Sequence, residues 1–488
     1  MVFSDLLFLF VFIPFFILTY IIGGTIDKYR VRRQETADKP IKRKMLWRNV
    51  SLIIFSILFY SWGEPVYILL MLFSVIVNYI FGLLIDRLKG EKGRKASLII
   101  GVAINLCILG SFKYLGFFGT ILQSLGLPVE PPMIALPIGI SFYIFQSISY
   151  LVDVYRRESP VQNNIFDLLL YIAMFPQLIA GPIVRYGTVA LEINDRSVSV
   201  SDVSEGVYRF IIGLGKKVIL ANILGEIATN LIGGNLENID MLSAWVGIIA
   251  FSLQIYFDFS GYSDMAIGLG RGVGFHFPEN FNHPYMCTSM TDFWRRWHMS
   301  LGSFFRDYVY IPLGGNRKRQ ILNIMTVWFL TGMWHGASWN FIIWGLYFGL
   351  IVLIEKYTIL KWKMPRILSH IYSIFIIIVG WGIFYFDDMG KMTQFFRGFF
   401  GLNGTAGIPI EVESAIFDNF WLWIAAILLC FPIRSFIRKK ADSQLEGSTL
   451  YLGYGLTVSR TIISVLILGM AVVLLVGATN NAFLYTRF

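Results

Sequence analysis

Residues 327–345 read VWFLTGMWHGASWNFIIWG, and His335 is the one ionisable side chain in this apolar run. An ionisable group at bilayer depth is costly, so a chain that keeps one there marks a functional site by default. Imidazole is also the side chain best matched to proton transfer near neutral pH. A second histidine, His298, stands upstream in DFWRRWHMSLGSFFRDYVYIPLGGNRK (292–318), among arginines, aspartates and aromatic residues. Together they point to an enzyme embedded in a membrane, not to a passive span.

The 488 residues are 56% hydrophobic and 15% charged, against about 25% charged for an ordinary soluble domain. The apolar residues recur in blocks of span length, which a soluble core does not need. The alternating pattern of a membrane barrel is absent. The chain therefore reads as an all-α, polytopic integral membrane protein with about 11–12 transmembrane helices plus re-entrant and interfacial helices, in one domain over 1–488. The formal net charge of +10 sits between the apolar blocks, as positive-inside loops do, so nucleic acid is not the expected partner and membrane lipid is. Cys107, Cys287 and Cys430 form no metal or redox spacing, and Cys107 and Cys430 read as packing residues within spans. His276, His283 and His298 fit no zinc template, and no metal is expected. The apolar N-terminus lacks a basic leader and reads as a retained first helix.

Basic loops set the topology. Block 3–24 precedes a Lys/Arg-rich stretch, 50–62 and 66–85 turn at Gly63-Glu64-Pro65, and 97–119 and 133–154 bracket a further external turn. Residues 165–185 are broken by Pro176, Gly181 and Pro182, as suits a re-entrant element whose backbone is buried in protein. Blocks 206–232 and 241–268 follow. Residues 271–320 are too charged to span and too aromatic for a free loop, and read as amphipathic helices at the interface. Blocks 321–334 and 338–355 make a hairpin with His335 near its turn. Fourteen helical residues rise about 21 Å, enough to carry that histidine well into the membrane. Blocks 369–386, 418–433 and 459–477 complete the count, with both termini outside.

WHGASWNF, the RRWHMSLGSFFRDYVYIPLGGNR stretch before it, FPQLIAGPIVRY (175–186) and GFHFPENFNHPYMCTSMTDFWRRWH (274–298) together resemble the membrane-bound O-acyltransferase (MBOAT) family. The likeness is greatest to its bacterial branch, which serves alginate O-acetylation and the D-alanylation of teichoic acids. One departure is Gly302 in SLGSFF, where the family pattern has serine.

The resemblance implies that His335 is the catalytic histidine and His298 the second histidine of the bacterial branch. Acyl transfer from a thioester needs a base to take the hydroxyl proton, and burial keeps an imidazole neutral for that task. On this reading His298 orients the donor or polarises its carbonyl. Arg295, Arg296 and Arg306 are candidates to bind the donor's phosphates, with Asp307 pairing an arginine. Asp258 and Asp264, in an apolar setting, call for Arg or hydroxyl partners. His370 opens a span from the cytoplasmic side.

The chain ends NNAFLYTRF, directly after the last span. Phe483, Tyr485 and Phe488 give F-x-Y-x-x-F within an external tail, 478–488, similar to the terminal motif of the small peptide in the D-alanylation system. That likeness makes Tyr485 the acyl acceptor or carrier; the alternative is an aromatic anchor at the interface. A phenol, with pKa near 10, keeps much of a thioester's transfer potential as its ester. The expected function is transfer of acetyl from a cytoplasmic thioester to an extracellular polysaccharide in a bacterial cytoplasmic membrane. No cofactor is expected to be bound; acetyl-coenzyme A or an acyl carrier thioester is the co-substrate, and an SGNH-type extracellular transferase the implied partner. D-alanyl transfer from an acyl carrier protein is the alternative reading, and a transporter or flippase the alternative of another class.

Overall fold

A computed structural model describes residues 1–36, 44–362, 364–404, 407–433, 449–477 and 483–484. Helix is the regular structure throughout, with no strand among the described residues. That is what hydrocarbon demands, because a span without water must bond its own backbone. Among the described residues, seven helices are long and apolar enough to cross a bilayer, and eight if Ile410–Phe417 and Phe420–Leu429, bent by 62°, form one crossing. Other crossings in the sequence count fall on helices that are short or charged. Ile140–Arg156 and Gln320–His335 have 17 and 16 residues, and Val200–Ile232 carries Glu205, Arg209, Lys216 and Lys217.

One compact unit comprises Met1–Phe210, Tyr262–Pro278 and the described part of Asn480–Arg487. Its helices are α1 (Ile13–Thr36), α2 (Leu46–Gly63), α3 (Ile68–Arg87), α4 (Glu91–Lys113), α5 (Leu115–Ser124), α6 (Ile140–Arg156), α7 (Ile165–Ala173), α8 (Phe175–Leu178), α9 (Tyr186–Asn194) and most of α10 (Val200–Gly215). α3, α4 and α6 pack on one another, and α2 packs on α1, α7 and α8. Cys107, expected to pack, instead lies exposed on α4.

The stretch expected to be re-entrant is two short helices broken at Met174, and every residue from 167 to 184 is buried. Loose backbone groups at such a break need partners. Ser56 Oγ accepts from the Phe175 N–H at 3.0 Å, and the Tyr171 hydroxyl donates to the Val184 carbonyl at 2.9 Å. Phe175 then meets Phe12 and Phe16 edge-on at 5.3 and 5.1 Å. Arg196 is buried yet satisfied: it donates to Asn49 Oδ1 (2.8 Å) and the Val273 carbonyl (2.9 Å) and lies over the Phe275 ring.

The other unit comprises Ile211–Gly261 and the described part of Glu279–Thr479. It contains α11 (Asn222–Ile232), α12 (Met241–Gly272, whose last turns belong to the first unit), α13 (Met290–Trp294) and α14 (Met299–Phe305). α15 (Gln320–His335), α16 (Trp339–Tyr357), α17 (Arg366–Tyr385), α18 (Met389–Phe399), α19 (Ile410–Phe417), α20 (Phe420–Leu429) and α21 (Thr449–Gly477) complete it. α15 and α16 form the expected hairpin. α18 and the bend between α19 and α20 were not expected from the hydropathy.

The stretch read as lying at the interface is amphipathic; over 290–305 its apolar side is covered by protein, whereas Ile311 and Leu313 are exposed. Met290, Phe293, Trp297, Leu301, Phe304 and Phe305 are buried, with α13 packed on α16 and α17, while Arg295, Gly302 and Arg306 are exposed. The intramembrane acids have their partners. Asp264 pairs with Arg209 at 2.9 Å in the first unit, and Asp258 pairs with Lys217, fully buried, at 2.6 Å in the second.

Candidate active site

The α15–α16 hairpin closes tightly because glycines face glycines. A Cβ on Gly332 would collide with the Phe341 carbonyl oxygen, and one on Gly345 with that of Trp328. That approach brings the two helices together just below the turn, where α15 ends at His335 and the chain runs extended through Gly336 and Ser338. The His335 ring is 3% exposed and meets Trp334, Trp344 and Phe384 edge-on at 4.9, 4.8 and 5.3 Å. A side chain gripped on three sides by aromatic rings has few rotamers left to lose.

His298 is held differently. It takes a left-handed backbone conformation, φ 45° and ψ 54°, immediately before α14. Its Nδ1 lies 3.1 Å from Asn280 Oδ1, and the same oxygen accepts from Ser300 N–H at 3.2 Å and Ser300 Oγ at 2.9 Å. The ring sits edge-on to Phe259 of α12 at 4.7 Å and to Trp334 of α15 at 5.6 Å. Burial pushes its pKa down to about 3, so the imidazole is neutral at any physiological pH.

Both histidines line one cavity of about 540 Å³, with Trp294, Trp297 and Trp328 among its walls and Arg295 and Arg306 on its lining. Three of the predicted residues therefore join His335 there. Arg295 is exposed and makes no ion pair among the described residues; Arg306 is exposed and held by Asp307 through two contacts, at 2.7 and 3.1 Å. Arg296 does not line the cavity. It is tied to Asp292 at 2.8 Å, four residues back on the same turn of chain. His276, His283 and His370 serve elsewhere, against Glu192, the Cys430 carbonyl and the Cys287 carbonyl. Tyr485 and Phe488 lie outside the described residues. Phe483 is buried in the first unit, edge-on to Tyr262 at 4.9 Å, and Tyr262 stacks on Phe3 at 4.8 Å.

The MBOAT, membrane-bound O-acyltransferase, family model matches residues 153–386, a span that includes both histidines and the whole cavity lining. "Probable alginate O-acetylase AlgI" of Pseudomonas aeruginosa is 40% identical over 413 residues, covering 82% of this chain and 75% of that protein. The chain belongs to the membrane-bound O-acyltransferase family. It is a multi-pass membrane O-acyltransferase. The peptidoglycan O-acetyltransferase of Helicobacter pylori is 30% identical over 541 residues, covering 100% of this chain and 98% of its own. The teichoic acid D-alanyltransferase of Bacillus subtilis is 30% identical over 248 residues, covering 46% and 60%.

Two site residues escaped the sequence reading. Glu355, fully buried near the end of α16, accepts from the Met290 and Thr291 N–H groups at 2.6 and 3.1 Å, and so ties the His335 hairpin to the helix that leads into His298. An acid at the end of an apolar run was a usable signal for it. Asn280 carries no charge and sits in a polar loop, so nothing in the sequence marks its contact with His298.

Proposed function

We propose that this enzyme transfers an acetyl group from a cytoplasmic thioester, acetyl-coenzyme A, toward the hydroxyls of an extracellular polysaccharide. The observation that carries the reading is that His335 and His298, remote in sequence, line one cavity with arginines on its exposed lining. The attacking hydroxyl oxygen bonds to the thioester carbonyl carbon, the C–S bond breaks, and the hydroxyl proton passes by way of His335 to the leaving thiolate. Arg295 and Arg306, both on the cavity lining, bind donor phosphates by charge-assisted hydrogen bonds; Arg296 lies off that lining, tied to Asp292, and contributes to the fold of the mouth. The acyl group is acetyl in preference to D-alanyl: the two O-acetyl-transferring relatives match over 75% and 98% of their length, the D-alanyl one over 60%.

The acceptor on the outer side is Tyr485. Burial of Phe483, the first residue of the F-x-Y-x-x-F motif, supports a seated tail over a free anchor. Its seat is Tyr262, which stacks in turn on Phe3. An acyl-tyrosine then hands acetyl to an SGNH-type extracellular partner, in a bacterial cytoplasmic membrane with both termini outside. The test is peptide mass spectrometry of the full chain after incubation with acetyl-coenzyme A. One acetyl group on Tyr485, absent in His335→Ala, is the expected result. Thioester consumption without label at Tyr485 sinks the carrier step, and consumption of a D-alanyl carrier-protein thioester alone sinks the acetyl donor.

A further inference from the structure

The hydrogen bonds around His298 decide which of its nitrogens carries the proton. A backbone N–H can only donate, so the Asn280 atom 3.2 Å from the Ser300 N–H is the amide oxygen. That oxygen can only accept, and it lies 3.1 Å from His298 Nδ1. Nδ1 therefore bears the hydrogen, and in a neutral imidazole Nε2 is left with a lone pair. The contact is fixed at a second point, because the Asn280 carbonyl accepts the Met299 N–H at 3.0 Å. Asn280 is itself fully buried.

Among the described residues, the charged groups on the elements around His298 are paired, exposed or on the cavity lining. Burial lowers the His298 pKa and keeps the ring neutral. Of the groups on the elements around it, Asp258 of α12 is paired with Lys217 and Asp264 with Arg209. α15 carries no charge besides what His335 can take up, Glu279 precedes Asn280 in an exposed position, and on its own segment Arg296 is paired with Asp292, with Arg295 and Arg306 on the cavity lining.

We infer that Asn280 is a positioning residue that locks His298 as its Nδ1–H tautomer, so that His298 meets substrate as a hydrogen-bond acceptor through Nε2 and does not polarise the thioester carbonyl. The inference rests on the acyl-transfer reading above and narrows the role expected for His298 from the sequence. A neutral acceptor selects a substrate N–H or O–H, which means an amide of the donor's pantetheine-like arm or the attacking hydroxyl. A group hydrogen-bonded to one imidazole nitrogen sets which nitrogen is left available to a substrate.

The experiment uses the full chain in lipid nanodiscs with ¹⁵N-labelled histidine, and the His298→Gln spectrum assigns the signal. The expected spectrum has a protonated Nδ1 and an unprotonated Nε2, unchanged from pH 8 to pH 5. An Nε2–H tautomer in the wild type overturns the proposal, whether or not the protein transfers acetyl, so its failure is separate from failure of the acyl-transfer reading. Asn280→Asp keeps the shape and the acceptor atoms but adds a carboxylate, which raises an imidazole by about 1–3 pH units. The acid limb of the transfer rate then moves upward by that amount; a profile identical to the wild type overturns the proposal. Asn280→Leu separates the two donor groups. A raised KM for acetyl-coenzyme A with kcat unchanged assigns the amide, and a kcat lowered tenfold or more with KM unchanged assigns the hydroxyl. Both constants unchanged after loss of the Nδ1–H signal refutes it.

Discussion

His335 is gripped by the edges of Trp334, Trp344 and Phe384 at the end of a hairpin closed by glycines. His298, in contrast, sits in a left-handed turn and is tied through Asn280 to Ser300. Aromatic walls fix where a ring lies but are indifferent to which nitrogen holds the proton. A hydrogen-bonded amide fixes both. The difference separates the tasks available to the two residues. His298 loses the Asn280 contact if Nδ1 gives up its hydrogen, which makes deprotonation of that nitrogen costly.

The largest effect is expected at His335→Ala. Acyl transfer is expected to fall by about 10²–10⁴-fold, the usual share of a general base, with the melting temperature in detergent close to the wild type. Activity within tenfold of wild type would remove His335 from the proton path. Next is Gly345→Ala, whose Cβ meets the Trp328 carbonyl oxygen and lies 3.1 Å from the Gly332 Cα. Backbone cannot step aside as a side chain can, so the hairpin opens at a cost of about 1–3 kcal/mol; an unshifted thermal melt contradicts the close-packed hairpin.

The stability of the hydrogen-bonded region depends on pH. The unfolded His298 titrates near 6.5 and the folded one at about 3, so between those values the unfolded state binds more protons. Stability is therefore lost as pH falls through about 6.5, by on the order of 1 kcal/mol at pH 5.5. His298→Gln is expected to remove that part of the pH dependence; thermal melts at pH 7.5 and 5.5 measure it, and an equal slope in both proteins refutes it. The smallest effect is expected at Gly302→Ser. A Cβ there has its nearest neighbour, the Trp294 carbonyl oxygen, at 3.8 Å, so stability changes by less than about 0.5 kcal/mol. A larger loss would mean that the cavity wall is tighter than its geometry.

Much of the hairpin was legible in advance. An isolated histidine in an apolar run, flanked by basic residues at both ends, specifies a buried turn because each feature is local in the chain. The break at 165–185 was legible for the same reason, since Pro176, Gly181 and Pro182 cannot continue a helix. The support of His298 was not. Its partner Asn280 lies 18 positions away, Glu355 reaches 65 positions to the Met290 N–H, and Lys217 reaches 41 to Asp258. The 271–320 stretch was legible as amphipathic, but no hydropathy pattern distinguishes an apolar side facing lipid from one facing α16 and α17.

Local patterns along the chain are enough to establish that it is helical and membrane-embedded, that His335 stands alone among apolar residues, and which family its motifs resemble. Hydropathy and breaker residues act within a few positions, so they are written in the order of the chain. The tertiary structure alone decided that His298 and His335 line one cavity, that Arg296 is diverted to Asp292, and that Asn280 holds the His298 proton on Nδ1. Those outcomes depend on which donor meets which acceptor across distant segments, and a hydrogen bond made at 3 Å leaves no periodicity in the residues between.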